Sequence, residues 1–208
     1  MKDNDTKKRA LVSDLVHLEW ELFRRVNNEG GTASCQTQPG TFGIMRSSQL
    51  KTWSVAILES YERDLMTAMA QGRNLLAEKY AYMMEYTSPL AFARLRDQLP
   101  IVSEESMEQL QPIVKINLNW EREAQNAYPR IRGRGRPGPS DRDGFGVTSV
   151  ETYLYGVLKT YSPETIRLLL AYTEEAEAQG RNLALENLEN MVQSYGYSDL
   201  KEAEAALR

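Results

Sequence analysis

Histidine and cysteine occur once each in 208 residues, as His17 and Cys35. A single cysteine excludes an internal disulfide and a cysteine-rich zinc site, and suits a reducing compartment. A single histidine leaves a Ser-His-Asp or Cys-His machine only His17 to work with. Long apolar runs are missing too. None approaches the ~18 residues of a membrane span, and the charged stretch 1–9 is not followed by the apolar core and cleavage site of a secretory signal. A soluble, cytoplasmic protein with no membrane partner is expected. Basic residues are not in excess: 25 Lys and Arg against 29 Asp and Glu give a net charge of −4, which argues against a nucleic-acid partner. One segment departs from that balance, where Arg130, Arg132, Arg134 and Arg136 alternate with Ile131, Gly133 and Gly135.

What is present is a globular composition, 41% hydrophobic and 26% charged. A chain of this length buries roughly 70% of its unfolded surface, and we read residues 1–208 as a single domain. Internal similarity is clear. Leu18-Glu19-Trp20-Glu21 reappears 100 residues later as Leu118-Asn119-Trp120-Glu121, and Thr52-Trp53, Leu58 and Ser60-Tyr61 reappear as Thr152-Tyr153, Leu158 and Thr160-Tyr161. Ala70-Gln71-Gly72-Arg73-Asn74-Leu75 returns 108 residues later as Ala178-Gln179-Gly180-Arg181-Asn182-Leu183. Three blocks in one order predict a diverged tandem duplication, residues 10–99 and 104–207.

Each half reads as helical. Leu11, Leu15, Leu18, Leu22 and Val26 recur at three- and four-residue steps, and so do Ile57, Leu58, Tyr61, Leu65, Met66 and Met69. Gly72 and Gly180 suit helix C-termini, and Asn74 and Asn182 suit the caps that follow, so each Gln-Gly-Arg-Asn block predicts a turn between two helices. Ser103, Ser162-Pro163 and the capping-box spacing of Thr148 to Glu151 mark further starts. Pro112 predicts the opening of a helix over residues 112–127. No segment alternates with period two. The expected fold is an all-α bundle of about six to nine helices.

Two loops, 27–43 and 128–148, occupy equivalent places in the two halves and are unrelated in sequence. Shared residues serve a shared scaffold most simply, so the diverged loops are the candidates for specialised work. Leu18 to Phe23, Val26-Asn27-Asn28-Glu29-Gly30-Gly31, Ala33-Ser34-Cys35-Gln36, Thr41-Phe42, Met45-Arg46, Gly72-Arg73-Asn74-Leu75 and Glu151-Thr152-Tyr153-Leu154 together resemble the domain-of-unknown-function family 4125 over nearly the whole chain. The resemblance implies a small soluble protein and no particular chemistry. It also implies an arginine at the place of Thr32; if that arginine binds an anion, the role here is lost or moves to the second loop.

The first loop has neither the lysine and spacing of a P-loop nor a dinucleotide fingerprint, and no cofactor is legible. Cys35 could be a nucleophile with His17 as base; the alternative is a buried, unreactive cysteine under a structural loop. Asp14, His17 and Glu21 share a helical face and could ligate a metal, with Glu78, Glu121 and Glu186 adding carboxylates. The Glu-x-x-His pair of a di-iron bundle is missing, so we assign no metal. The leading expectation is an enzyme acting on a small polar or anionic molecule in a pocket between the halves. Asn28, Glu29, Ser34 and Gln36 would bind the substrate, Arg132 and Arg134 would supply charge, and Cys35, His17 and Glu21 would do the chemistry. Glu21 would need burial to titrate in a useful range. The alternative is a non-catalytic helical interaction module that partners a separate enzyme; a protein partner or a homo-oligomer is compatible with the sequence.

Overall fold

Short polar side chains and prolines set the starts of the helices. In the computed structural model, which describes residues 2–27, 31–144 and 147–207, the described residues form eleven α-helices and no strand. They are α1 (Lys2–Phe23), α2 (Pro39–Leu50), α3 (Val55–Ala70), α4 (Leu75–Thr87), α5 (Pro89–Leu95), α6 (Glu104–Ala127), α7 (Pro129–Arg132), α8 (Val150–Leu158), α9 (Pro163–Ala178), α10 (Leu183–Ser194) and α11 (Leu200–Ala206), with 3-10 turns at Ser34–Thr37, Arg96–Gln98 and Ser140–Arg142. The all-α expectation holds. The count exceeds six to nine because the two loops themselves carry helix: Pro39 and Pro129 sit in the first turns of α2 and α7, where proline needs no N–H partner.

Side-chain caps satisfy the free N–H groups that open a helix. Ser54, Ser103, Ser149, Ser162, Asn182 and Asp199 each accept a hydrogen bond from an N–H of the first turn. The cap of α8 is Ser149, one residue beyond the Thr148 that the capping-box spacing singles out, and Glu151 instead accepts from the N–H of Ser140. Pro112 does not open a helix. It lies inside the 24-residue α6, which Ser103 starts; the missing N–H costs one bond in a helix held by its buried face of Leu110, Ile113, Val114, Trp120 and Ala124.

The two Gln-Gly-Arg-Asn turns have the same local geometry. Gly72 and Gly180 take φ of 71° and 67°, a left-handed conformation that other residues adopt at a steric cost. The N–H of Arg73 bonds the carbonyl of Ala68 and that of Arg181 the carbonyl of Ala176, both at 2.9 Å. Asn74 and Asn182 then cap α4 and α10 and donate back to the carbonyls of Leu22 and Trp120.

The chain forms two compact units, Met1–Ala77 and Glu78–Arg208. In the first, α1 packs on α2 and α3, burying Leu15, Leu50, Ile57, Leu58 and Leu65; each such side chain contributes about 1.5–3 kcal/mol. Met66 and Met69, expected on that face, are exposed. Glu19 is fully buried and receives both Nε and Nη2 of Arg46 and the hydroxyl of Tyr61, the last at 2.6 Å. In the second unit α6 is the axis, with α7, α8, α9 and α10 packed against it. Gly156 on α8 sits so close to α4 that a Cβ would lie 2.6 Å from Cγ of Met83 and 2.9 Å from the carbonyl of Lys79. No helix of the described residues is long and apolar enough to cross a membrane.

Candidate functional site

The outward face of α6 and the arginine loop enclose a cleft of about 940 Å³ in the second unit. Gln111, Lys115, Leu118, Arg122 and Gln125 contribute one wall from α6, at the alternating four- and three-residue steps that keep side chains on one side of a helix. Arg132 to Pro139 supply the other wall, with Arg134 turned out of it, and Glu151 and Tyr155 of α8 complete the lining. Among the described residues Lys115, Arg122, Arg132 and Arg136 face two carboxylates, Glu121 and Glu151, so the cleft is locally cationic in an acidic protein.

The loop is held by named contacts. Both carboxylate oxygens of Glu204 accept from the N–H groups of Arg130 and Ile131, fixing the start of α7. The carbonyls of Pro137 and Gly138 accept from the N–H groups of Val150 and Glu151, which ties the loop to α8 and occupies donors an anion could otherwise use. Asp143 accepts from the N–H and hydroxyl of Ser149 and from the hydroxyl of Thr152. Arg136 bonds the carbonyl of Thr148 and stacks over the Tyr153 ring. Gly135 leaves room for Arg132, since a Cβ there would lie 2.5 Å from its Nη1.

The most perturbed pair in the cleft is Glu121 with Arg132. Nη2 of Arg132 lies 2.5 Å from Oε2 of Glu121, with side chains 13% and 21% exposed. The two groups meet as an ion pair. Oε2 of Glu121 and Nε of Arg132 are both buried without a hydrogen-bond partner among the described residues, an arrangement that costs free energy in a folded protein. Burial pushes the Glu121 carboxyl above the usual glutamate range, and attraction to Arg132 opposes this without cancelling it. Burial, followed by the Glu151 charge, pushes the Tyr155 phenol up, so it stays a neutral hydroxyl.

Of the residues singled out in the sequence, Arg132 lines the cleft and Arg134 is exposed and does not. The remaining candidate catalytic and substrate-binding residues belong to the first unit. Cys35 is an exposed free thiol, which removes the buried-cysteine alternative. Ser34 is exposed beside it, and His17 and Asp14 are exposed on α1. Glu21 pairs with Arg24 and Arg25 of the same stretch at 3.3 and 3.4 Å. The amide of Gln36 is buried and works on the backbone: it donates to the carbonyls of Phe23 and Val26 at the end of α1 and accepts from the N–H of Ala33. Asn28 and Glu29 lie outside the described residues. Among the described residues no group of three or more His, Cys, Asp or Glu side chains is placed to hold a metal.

Lys115, Arg122, Glu151 and Tyr155 carry no signal in the sequence that marks them as site residues, and Glu121 stands out there only as a metal ligand. The stripe from Gln111 to Gln125 is visible as helical spacing; its significance depends on the loop that closes over it. No curated protein and no solved structure matches the chain. The family model that matches covers residues 9–205, nearly the whole chain, and on that evidence the chain belongs to the family described as Protein of unknown function (DUF4125).

Proposed function

We propose that this protein binds a small anionic organic molecule in the cleft between α6 and the arginine loop, and acts on it as an enzyme. The observation that carries the reading is the set of four cations around the cleft, with one of them, Arg132, holding a buried Nε that no group among the described residues engages. Guanidinium groups recognise carboxylates and phosphates through paired N–H donors. Val114, Leu118, Pro137 and Pro139 offer apolar surface to the rest of the molecule. The chemistry available is charge neutralisation and proton transfer: Glu121 is a carboxyl that burial biases towards its protonated form, the property required of a general acid near neutral pH.

Thermal shift and calorimetric titration with a panel of small carboxylates and phosphate esters test this. Binding should weaken about ten- to 150-fold in Arg132→Gln, the equivalent of losing a charged hydrogen bond of about 1.5–3 kcal/mol. Affinities unchanged in both Arg132→Gln and Lys115→Gln would place the ligand elsewhere.

Two further parts of the reading rest on local features. The matching turn geometries at Gly72 and Gly180 support a duplication with repeats 10–99 and 104–207. A free Cys35 supports a cytoplasmic setting. The rival reading, an interaction module, draws on Leu90 and Ile101, which stand 85% and 99% exposed around α5. Concentration-dependent self-association abolished by Ile101→Ser would favour it.

A further inference from the structure

Arg132 is only half used by its neighbours in the cleft. A guanidinium presents Nε and Nη2 as two parallel donors along one edge. Here Nη2 meets a single oxygen of Glu121, and Nε has no hydrogen-bond partner among the described residues. On its other side the group abuts Gly135, where a Cβ would lie 2.5 Å from Nη1. Glu121 is therefore a poor occupant of the edge that a free carboxylate or phosphate would fill with two oxygens.

Resting on the proposed function, we infer that the ligand's anionic group displaces the Glu121 carboxylate from Arg132, and that Glu121 takes up one proton from solvent as the ligand binds. The exchange balances: the Arg132–Glu121 pair, a ligand anion and a proton become the Arg132–ligand pair and a neutral Glu121 carboxylic acid. The other charged or titratable groups facing the cleft are Lys115 and Arg122 on α6, Arg136 on the loop, and Glu151 and Tyr155 on α8. Among the described residues only Arg132 forms an ion pair with Glu121; α9 and α10, also packed on α6, contribute no residue to the lining. A largely buried carboxylate that loses its compensating charge is neutralised by protonation. Burial already holds this carboxyl above the ordinary range while Arg132 is in place. The bound state thus sets a carboxylic acid beside the ligand, which is the form a proton donor needs.

The test is calorimetric titration of the full chain with sulfate and with succinate, in buffers of different ionisation enthalpy at pH 7 and 8. Both probes stay ionised there, and their comparison separates a tetrahedral from a planar anion. The expected result is net proton uptake as the probe binds, with affinity falling as pH rises from 7 to 8. Glu121→Gln should bind at least as tightly at pH 8, with no proton uptake and no pH dependence. Binding that needs Arg132 yet exchanges no proton would overturn the displacement and leave the proposed function standing. Binding unchanged in Arg132→Gln would overturn the displacement; binding unchanged in Lys115→Gln as well, or no binding of either probe, would overturn both. Arg132→Lys keeps the charge and removes the paired donors, so it serves if Arg132→Gln fails to fold; it should lose most of the affinity.

Discussion

Glu19 offers the sharpest test of what holds the first unit together. Its side chain is fully buried on α1, and Arg46, 12% exposed on α2, meets it with two nitrogens while Tyr61 of α3 donates to the same carboxylate. The three groups come from the three helices that make the unit, so one carboxylate ties all of them. Glu19→Gln keeps the shape and removes the charge, leaving Arg46 buried against a neutral amide. Breaking a buried pair from one side costs about 3–5 kcal/mol. In a chain of this size each kcal/mol moves Tm by roughly 2–4 °C, so a loss of about 6–20 °C follows. Tyr61→Phe removes one hydrogen bond to a charged acceptor and should cost about 1.5–3 kcal/mol. The double variant Glu19→Leu with Arg46→Met replaces the pair by apolar volume and should regain most of the loss. Urea unfolding of the four proteins, followed by circular dichroism, measures each loss against the parent. A Glu19→Gln protein that melts within about 2 °C of the parent would refute the reasoning, since that shift equals less than about 1 kcal/mol.

Other perturbations follow from single contacts. Gly156→Ala should destabilise by about 1–3 kcal/mol in denaturant titration despite the better helix propensity of alanine, because the new Cβ meets a backbone carbonyl at 2.9 Å that cannot swing away. Gln36→Ala should cost about 2 kcal/mol or more by leaving the carbonyls of Phe23 and Val26 and the N–H of Ala33 without this partner, and should leave anion affinity unchanged. Glu121 sets a pH dependence. Its carboxyl is raised from 4.5 in the folded protein, so its contribution is fully present below that value and is lost as pH rises through the higher folded value. Measured against Glu121→Gln from pH 4 to 8, the parent should therefore lose relative stability with increasing pH; a relative gain would contradict the assigned cause.

Local physics is legible in the sequence where one residue decides the outcome. The steps from Leu11 to Leu22 foretell the buried face of α1, Ser103 and Ser162 foretell caps, and Gly72 and Gly180 foretell left-handed turns. The same local logic fails where a distant partner overrides it. Pro112 reads as a helix start, yet the packing of residues on both sides of it carries α6 straight through. Met66 and Met69 fit the helical period of α3, but period alone does not say how wide the buried stripe is. Arg46 finds its partner 27 residues away on another helix, and no spacing rule encodes that meeting. The arginine run is visible as a charge anomaly, whereas its selective use of Arg132 over Arg134 depends on where α7 ends.

Glu21 and Glu121 stand 100 residues apart in similar stretches of sequence and have different surroundings. A proton-transferring glutamate needs burial and a charge that burial alone does not neutralise. Glu21 follows the buried Glu19 by two residues, which turns it away from that pair, and Arg24 and Arg25 sit close by on the same stretch of chain. It keeps 30% of its surface exposed. At the second position of the motif Glu19 is matched by Asn119, and residues 119 and 121 both line the cleft. A loop of unrelated sequence then delivers Arg132 onto Glu121 and shields both from water. The similar sequence supplies a carboxylate at both positions, and only Glu121 meets an arginine delivered by a loop outside its own helix. Burial and the contact with Arg132 are what set Glu121 apart from Glu21.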